Sequence, residues 1–460
     1  MLKNLIENGF SSRLVVVGLL SFATVMAGMG TLKLYLPPHT SWALIGLPIV
    51  GAAMLEIRRQ GWLHPVFNWK HAIPLLAFLV AIVLAVVTND LTRSDLIFSG
   101  ATSVKFIMIW LLLLVPIQTR VNVRTVEVAL ISALVVGALG FSFAAIFNPG
   151  LIAAGRVGWA FAWYGVFWKI GMYAFPFLMW RSLRNPTWAD LPALLLATLV
   201  VSLDGSRTGL LALIFTVATM ILIGAFVFRM KNLFFGSAIT LVSLSMSFLL
   251  VQPAFGLAWQ WEFAQSYVSW ALLCGILVVA VTEIGRAPEK IEYVAKGQKH
   301  IRVIAIAILF FALLFSLLAS KFLDVTAFNR FQEADPVRLE MLSTALKAAG
   351  DNLPFGGGLG TTTAMDLHVH FTYLQLVADV GPLGLISYLA IFGVFGLWYI
   401  QSASPARVNL VPGLAVMGVF LLQGVFAPLT NELTEWLPVL LGAAAFYFAA
   451  ERANASPHKP

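Results

Sequence analysis

"FTYLQLVADVGPLGLISYLAIFGVFGLWYI", residues Phe371 to Ile400, carries a single charged side chain, Asp379, along its whole length. A hydrocarbon core of ~30 Å needs ~20 predominantly apolar residues in one helix. The stretch exceeds that requirement and reads as a membrane helix. Two histidines, His368 and His370, stand immediately before it, where a polar segment gives way to the apolar one.

Comparable runs recur along the chain. They are Leu14–Thr31, Ser41–Leu55, Ala72–Val87, Leu96–Ile117, Val126–Phe147, Gly158–Trp180, Leu191–Leu203, Leu210–Phe228, Leu233–Val251, Tyr267–Thr282, Val303–Ser320, Leu410–Phe426 and Leu437–Ala450. The chain is 60% hydrophobic and 11% charged, more apolar surface than a soluble domain of 460 residues could hide from water. Outer-membrane barrels are built from ~10-residue alternating segments, a pattern these runs lack. The expectation is an all-α polytopic transmembrane bundle of about 12–14 spans. The first run has no small-residue cleavage site and is expected to stay as a helix. Cys274 is the one cysteine, so no intramolecular disulfide forms.

Charge asymmetry orients the spans. With the terminus carrying Lys3 and Arg13 on the inside, alternate loops collect Arg58 and Arg59, Arg181 and Arg184, Arg229 and Lys231, and the basic run from Arg286 to Arg302. The opposite loops hold fewer than half as many, so both termini are expected in the cytoplasm. The net charge of +8 belongs to these loops, and no nucleic-acid partner is implied.

One outer segment is far longer than any other. The organisation expected is residues 1–320 with eleven helices, a periplasmic loop 321–370, three further helices over 371–452, and a cytoplasmic tail 453–460. Long ordered loops usually carry function. Within this one, Pro336 to Ala349 has an amphipathic helical pattern, with Asp335 as N-cap before Pro336 and with Asn352 and Pro354 ending it.

Outer-face cations run against the charge bias, and each invites a reason. Arg207 lies in "SLDGSRTGLL" after a run too short to cross a bilayer, so Asp204 and Arg207 are expected below the outer surface. Two readings stand: an Asp204–Arg207 ion pair closing a turn, or an anion site with backbone N–H groups near Gly205, Ser206 and Gly209 and a guanidinium fork. Arg330 and Arg338 lie in the long loop. The glycines at 356, 357, 358 and 360 form either a flexible turn or a phosphate cradle, though no P-loop ending follows. Histidines one residue apart do not share a helix face, and no carboxylate or cysteine cluster accompanies them, so no metal is expected. An imidazole beside an anion site suits general-base work.

Three stretches, "SLDGSRTGLLALI", "DPVRLEMLSTALKAAGDNLPFGGGLG" and "HFTYLQLVADVGPLGLISYL", resemble in order the three signatures of the bacterial O-antigen ligase and polymerase superfamily. The likeness covers roughly residues 191–400. It implies an inner-membrane glycosyltransferase that takes a glycan from undecaprenyl diphosphate at the periplasmic face, without metal or other cofactor. The acceptor would be lipid A core for a ligase, or another lipid-linked glycan for a polymerase. His370 occupies the place of the family's histidine, followed by Leu374, Leu376, Asp379, Gly381 and Gly384. Phe371 stands where asparagine is common. Arg207 matches the arginine of the first signature and Arg338 that of the loop. The resemblance thus implies His370 as base and Arg207 and Arg338 as diphosphate ligands, with Arg330, His368 and Asp204 as secondary candidates. A lipid-linked glycan flippase or solute transporter is the rival from another class, against which no inverted repeat is visible.

Overall fold

The computed structural model describes residues 69–89, 91–118, 126–127, 130–135, 138–139, 152–153, 156–157, 167–204, 206–250, 336–364, 371–401 and 404–427, with isolated positions elsewhere. Ten helices are resolved among them: α1 Trp69–Val87, α2 Arg93–Gln118, α3 Phe167–Arg184, α4 Asp190–Asp204, α5 Arg207–Leu222, α6 Leu233–Leu250, α7 Pro336–Asp351, α8 Thr361–Ala364, α9 Thr372–Gln401 and α10 Ser404–Gly424. Among the described residues, the one exception to an all-α reading is a hairpin of two-residue strands, Ile152–Ala153 against Arg156–Val157.

Among the described residues, four helices are long and apolar enough to cross a membrane: Arg207–Val227, Leu233–Leu250, Thr372–Gln401 and Arg407–Gly424. The expected spans Leu14–Thr31, Ser41–Leu55, Tyr267–Thr282, Val303–Ser320 and Leu437–Ala450 lie outside the described residues apart from isolated positions. Helix α7 begins at Pro336 as expected and ends at Asp351, two residues past the anticipated end. Its N-cap candidate, Asp335, lies outside the described residues.

The helices fall into two units. The first contains α1, α2 and α7 to α10. Helix α9 runs along α1 and also contacts α7, α8 and α10. Its core is aromatic. Trp436 is fully buried and meets Phe420 at 4.7 Å, Tyr388 at 6.0 Å and Phe106 at 6.2 Å between ring centroids. The Tyr388 and Phe106 contacts are edge-to-face, and such pairs add ~0.5–1.5 kcal/mol each beyond area burial. In lipid that matters, because apolar burial alone gives helices little reason to associate.

The second unit contains the hairpin and α3 to α6, packed through small and hydroxyl residues. A Cβ on Gly236 would lie 2.4 Å from the Ser182 carbonyl, and one on Gly171 would lie 2.5 Å from that of Ala197. Only glycine permits helices to approach so closely. Ser202 and Ser247 hydroxyls meet at 3.3 Å across the α4–α6 seam. At one end of this unit Arg181 is buried, donating from Nε to Asp190 Oδ1 at 2.9 Å and from Nη1 to Glu127. The charge count treats Arg181 as a loop cation; it is instead part of a buried ion triad.

Candidate functional site

Helices α4 and α5 meet at a tight corner in the second unit. Helix α4 has 15 residues. At ~1.5 Å per residue that is too short for a ~30 Å core. Asp204, its last residue, is fully buried and its Oδ2 accepts the Trp168 backbone N–H at 3.0 Å. A carboxyl group there satisfies one of the orphan donors at the start of α3. Ser206 caps α5, its hydroxyl accepting the Gly209 N–H at 3.2 Å. Arg207 follows as the first residue of α5 and is half-buried.

This geometry modifies the anion-cradle reading. The Gly209 N–H is taken by the Ser206 cap, and a Cβ at Gly209 would lie 3.0 Å from Trp168. Gly209 therefore makes room for an indole, not a ligand. Gly205 lies outside the described residues. The guanidinium of Arg207 carries what remains of the anion reading.

The second feature lies in the first unit, where α9 is broken. Gly381 has φ 71° and ψ 178°, and Pro382 follows. Proline has no N–H, so the Ala378 carbonyl four residues earlier loses its helical donor. The glycine loop supplies replacements. Gly357 N–H donates to the Ala378 carbonyl at 2.8 Å and Gly358 N–H to that of Asp379 at 2.8 Å. Asn352 Nδ2 adds a bond to Ala378 at 3.2 Å. Asn89 Nδ2 on the other side donates to the Gly356 carbonyl at 2.6 Å.

Asp379 completes the clasp. It is fully buried; its Oδ2 accepts Gly360 N–H at 2.8 Å. Its Oδ1 accepts the Thr362 N–H at 3.1 Å and the Thr362 hydroxyl at 2.8 Å. Gly356, Gly358 and Gly360 all have φ between 83° and 105°, in the region that favours glycine. A Cβ at Gly356 would come within 2.4 Å of the Asp379–Val380 peptide. The glycine run is thus neither a flexible turn nor a phosphate cradle: the N–H groups of 356, 357, 358 and 360 are all engaged within the fold.

The clasp ends at α8. Eight residues after Ala364, α9 starts with a second anchor: the Thr372 N–H and hydroxyl donate to the Ala427 carbonyl at 3.0 and 2.9 Å. Gln375 Oε1 accepts the Leu429 N–H at 2.7 Å.

The predicted residues are distributed as follows. Asp204 and Arg207 share the α4–α5 corner of the second unit. Arg338 lies in the first turn of α7 in the first unit, with only its backbone described. His368, His370 and Arg330 lie outside the described residues. Sequence reasoning gave Asp379 no role of its own. The signal was present: an acid within an apolar span two residues before Gly-Pro marks a broken helix with a polar partner. No family model matches the chain, and neither does any curated protein sequence.

Proposed function

We propose that the chain is a metal-independent glycosyltransferase of the O-antigen ligase and polymerase type, embedded in the bacterial inner membrane with about 12–14 spans and acting at the periplasmic face. The donor is a glycan on undecaprenyl diphosphate, and lipid A core is the preferred acceptor. The observation that carries the reading is Arg207 at the first position of a 21-residue apolar helix. A helix N-terminus disfavours a cation and favours an anion. An arginine kept there is suited to a bidentate anion such as a lipid diphosphate, whose developing negative charge it would stabilise as the glycan leaves.

The remaining roles rest on the three sequence stretches. Arg338 is the second diphosphate ligand. His370 takes the proton of the acceptor hydroxyl while that oxygen attacks the anomeric carbon and the C–O bond to the diphosphate breaks, inverting the centre. Arg330, His368 and Asp204 support these groups.

A transporter reading has one observation in its favour: discontinuous helices such as α9 are common where transporters bind substrate. The carbonyls exposed at this break are occupied by the glycine loop, which removes the usual ion ligands.

The deciding experiment reconstitutes the full chain with undecaprenyl-diphosphate-linked glycan and lipid A core. Transfer to core, resistant to excess chelator, supports the ligase. Growth of the lipid-linked glycan without core identifies a polymerase instead. Movement of the donor across the bilayer with no new glycosidic bond overturns the enzyme reading.

A further inference from the structure

The turns 185–189 and 228–232 emerge together at one end of the second unit. Asn232 Nδ2 donates to the Arg184 carbonyl at 3.0 Å. The Trp188 ring meets Phe235 edge-on at 5.4 Å, with an interplanar angle of 88°. Trp188 is 71% exposed and Phe234 63%. Large rings so exposed, next to chain ends of apolar helices, belong at the boundary between acyl chains and headgroups.

The same two turns are basic. Arg184 ends α3 just before the first turn, Arg229 and Lys231 lie on the second, and the latter two are exposed. No acid occurs between residues 205 and 261. Asp190, the acid beside Trp188, is buried and bonded to Arg181 and Thr187. Glu127 is likewise buried against Arg181, so the exposed charges on these two turns are the cations Arg229 and Lys231.

Arg229 adds a second indication. Its φ is 49°, a left-handed conformation usually left to glycine or asparagine at a helix end. The α5 helix closes just before it through a π turn, with Phe228 N–H donating to the Ile223 carbonyl and Met230 N–H to that of Gly224. A cation stands where glycine would sit with less strain.

We infer that Trp188 and Phe234, with Arg229 and Lys231, form a binding surface for an anionic phospholipid, the cations meeting its phosphodiester and the rings lying against its upper acyl chains. Charge complementarity selects the occupant. A zwitterionic lipid offers the same acyl chains and phosphodiester but carries its own ammonium, so it gains less from the pair of cations. The inference stands apart from the glycan-transfer reading.

The test uses the full-length protein in mixed micelles with brominated phosphatidylglycerol or brominated phosphatidylcholine as quencher. The Trp188 signal is the difference between wild type and Trp188→Phe, which preserves the ring contact with Phe235. Half-quenching is expected at several-fold lower mole fraction of the phosphatidylglycerol. Arg229→Gly suits the left-handed turn, so with Lys231→Gln it removes charge while keeping the fold; the preference should then fall towards one. Arg229→Lys should retain most of it. Equal quenching by both lipids in the wild type, or an unchanged preference in Arg229→Gly/Lys231→Gln, overturns the surface.

Discussion

Asp379 holds the backbone N–H of Gly360 at 2.8 Å, nineteen residues away in sequence, from inside a helix of membrane length. The bond explains why an acid persists in so apolar a segment. Its carboxyl group is enclosed by donors from Gly360, Thr361 and Thr362, and these fasten the glycine loop onto the break at Gly381.

Removing that group should loosen the loop. Asp379→Ala leaves buried N–H and hydroxyl groups without acceptors, costing about 2–4 kcal/mol. Asp379→Asn keeps one acceptor and should cost less. Thermal unfolding in detergent, with proteolysis near residue 358, measures both. Wild-type behaviour of Asp379→Ala would deny the clasp a structural role.

Two glycines provide an internal comparison. Gly356→Ala forces a Cβ against the Asp379–Val380 peptide at positive φ and should destabilise by about 2–3 kcal/mol. Gly350→Ala meets nothing within 4 Å on helix α7 and should be neutral or stabilising by up to ~1 kcal/mol. Equal effects on the unfolding midpoint would contradict the geometry.

The buried triad makes a non-additive prediction. Arg181→Met strands Glu127 and Asp190 and should cost about 3–5 kcal/mol. Adding Glu127→Gln should recover part of the loss, because one stranded charge is removed. A double-mutant cycle by thermal unfolding reads the coupling; strict additivity would mean the three groups act independently.

For the proposed transfer, Arg207→Lys should lower turnover at least ~10-fold, since a point charge cannot replace a bidentate fork. Arg93→Lys, at the exposed start of helix α2, should be much milder. The assay is glycan transfer from lipid-linked donor by correctly inserted protein. Undiminished transfer by Arg207→Ala would remove the diphosphate role and leave Arg207 a structural residue of the α4–α5 corner.

The histidines are separable by rate and pH. His370→Ala should abolish transfer while donor binding, assigned to the arginines, persists; His368→Ala should keep most activity. In wild type and His368→Ala the rate should fall on the acidic side of neutrality, because a protonated imidazole cannot accept the acceptor's proton. The opposite pattern between the two variants would move the base to position 368.

Much of the scaffold is legible in the chain itself. Membrane helices announce themselves by local composition, since lipid demands ~20 apolar residues and internally satisfied backbone, whatever the neighbours are. That is why the runs Leu233–Val251 and Phe371–Ile400 agree with helices α6 and α9 to within a residue or two at each end. Pro336 likewise fixed the start of α7 through its own dihedral preference and missing N–H. What only tertiary structure decided is which polar groups satisfy one another. Arg181 looks like a loop cation until Glu127, 54 residues away, and Asp190 on the next helix are brought to it. The glycine run looks free until the carbonyls of a broken helix claim its N–H groups. Hydrogen bonds and ion pairs depend on distances of about 3 Å between residues far apart in sequence, and such distances are set by helix packing, which local composition does not encode.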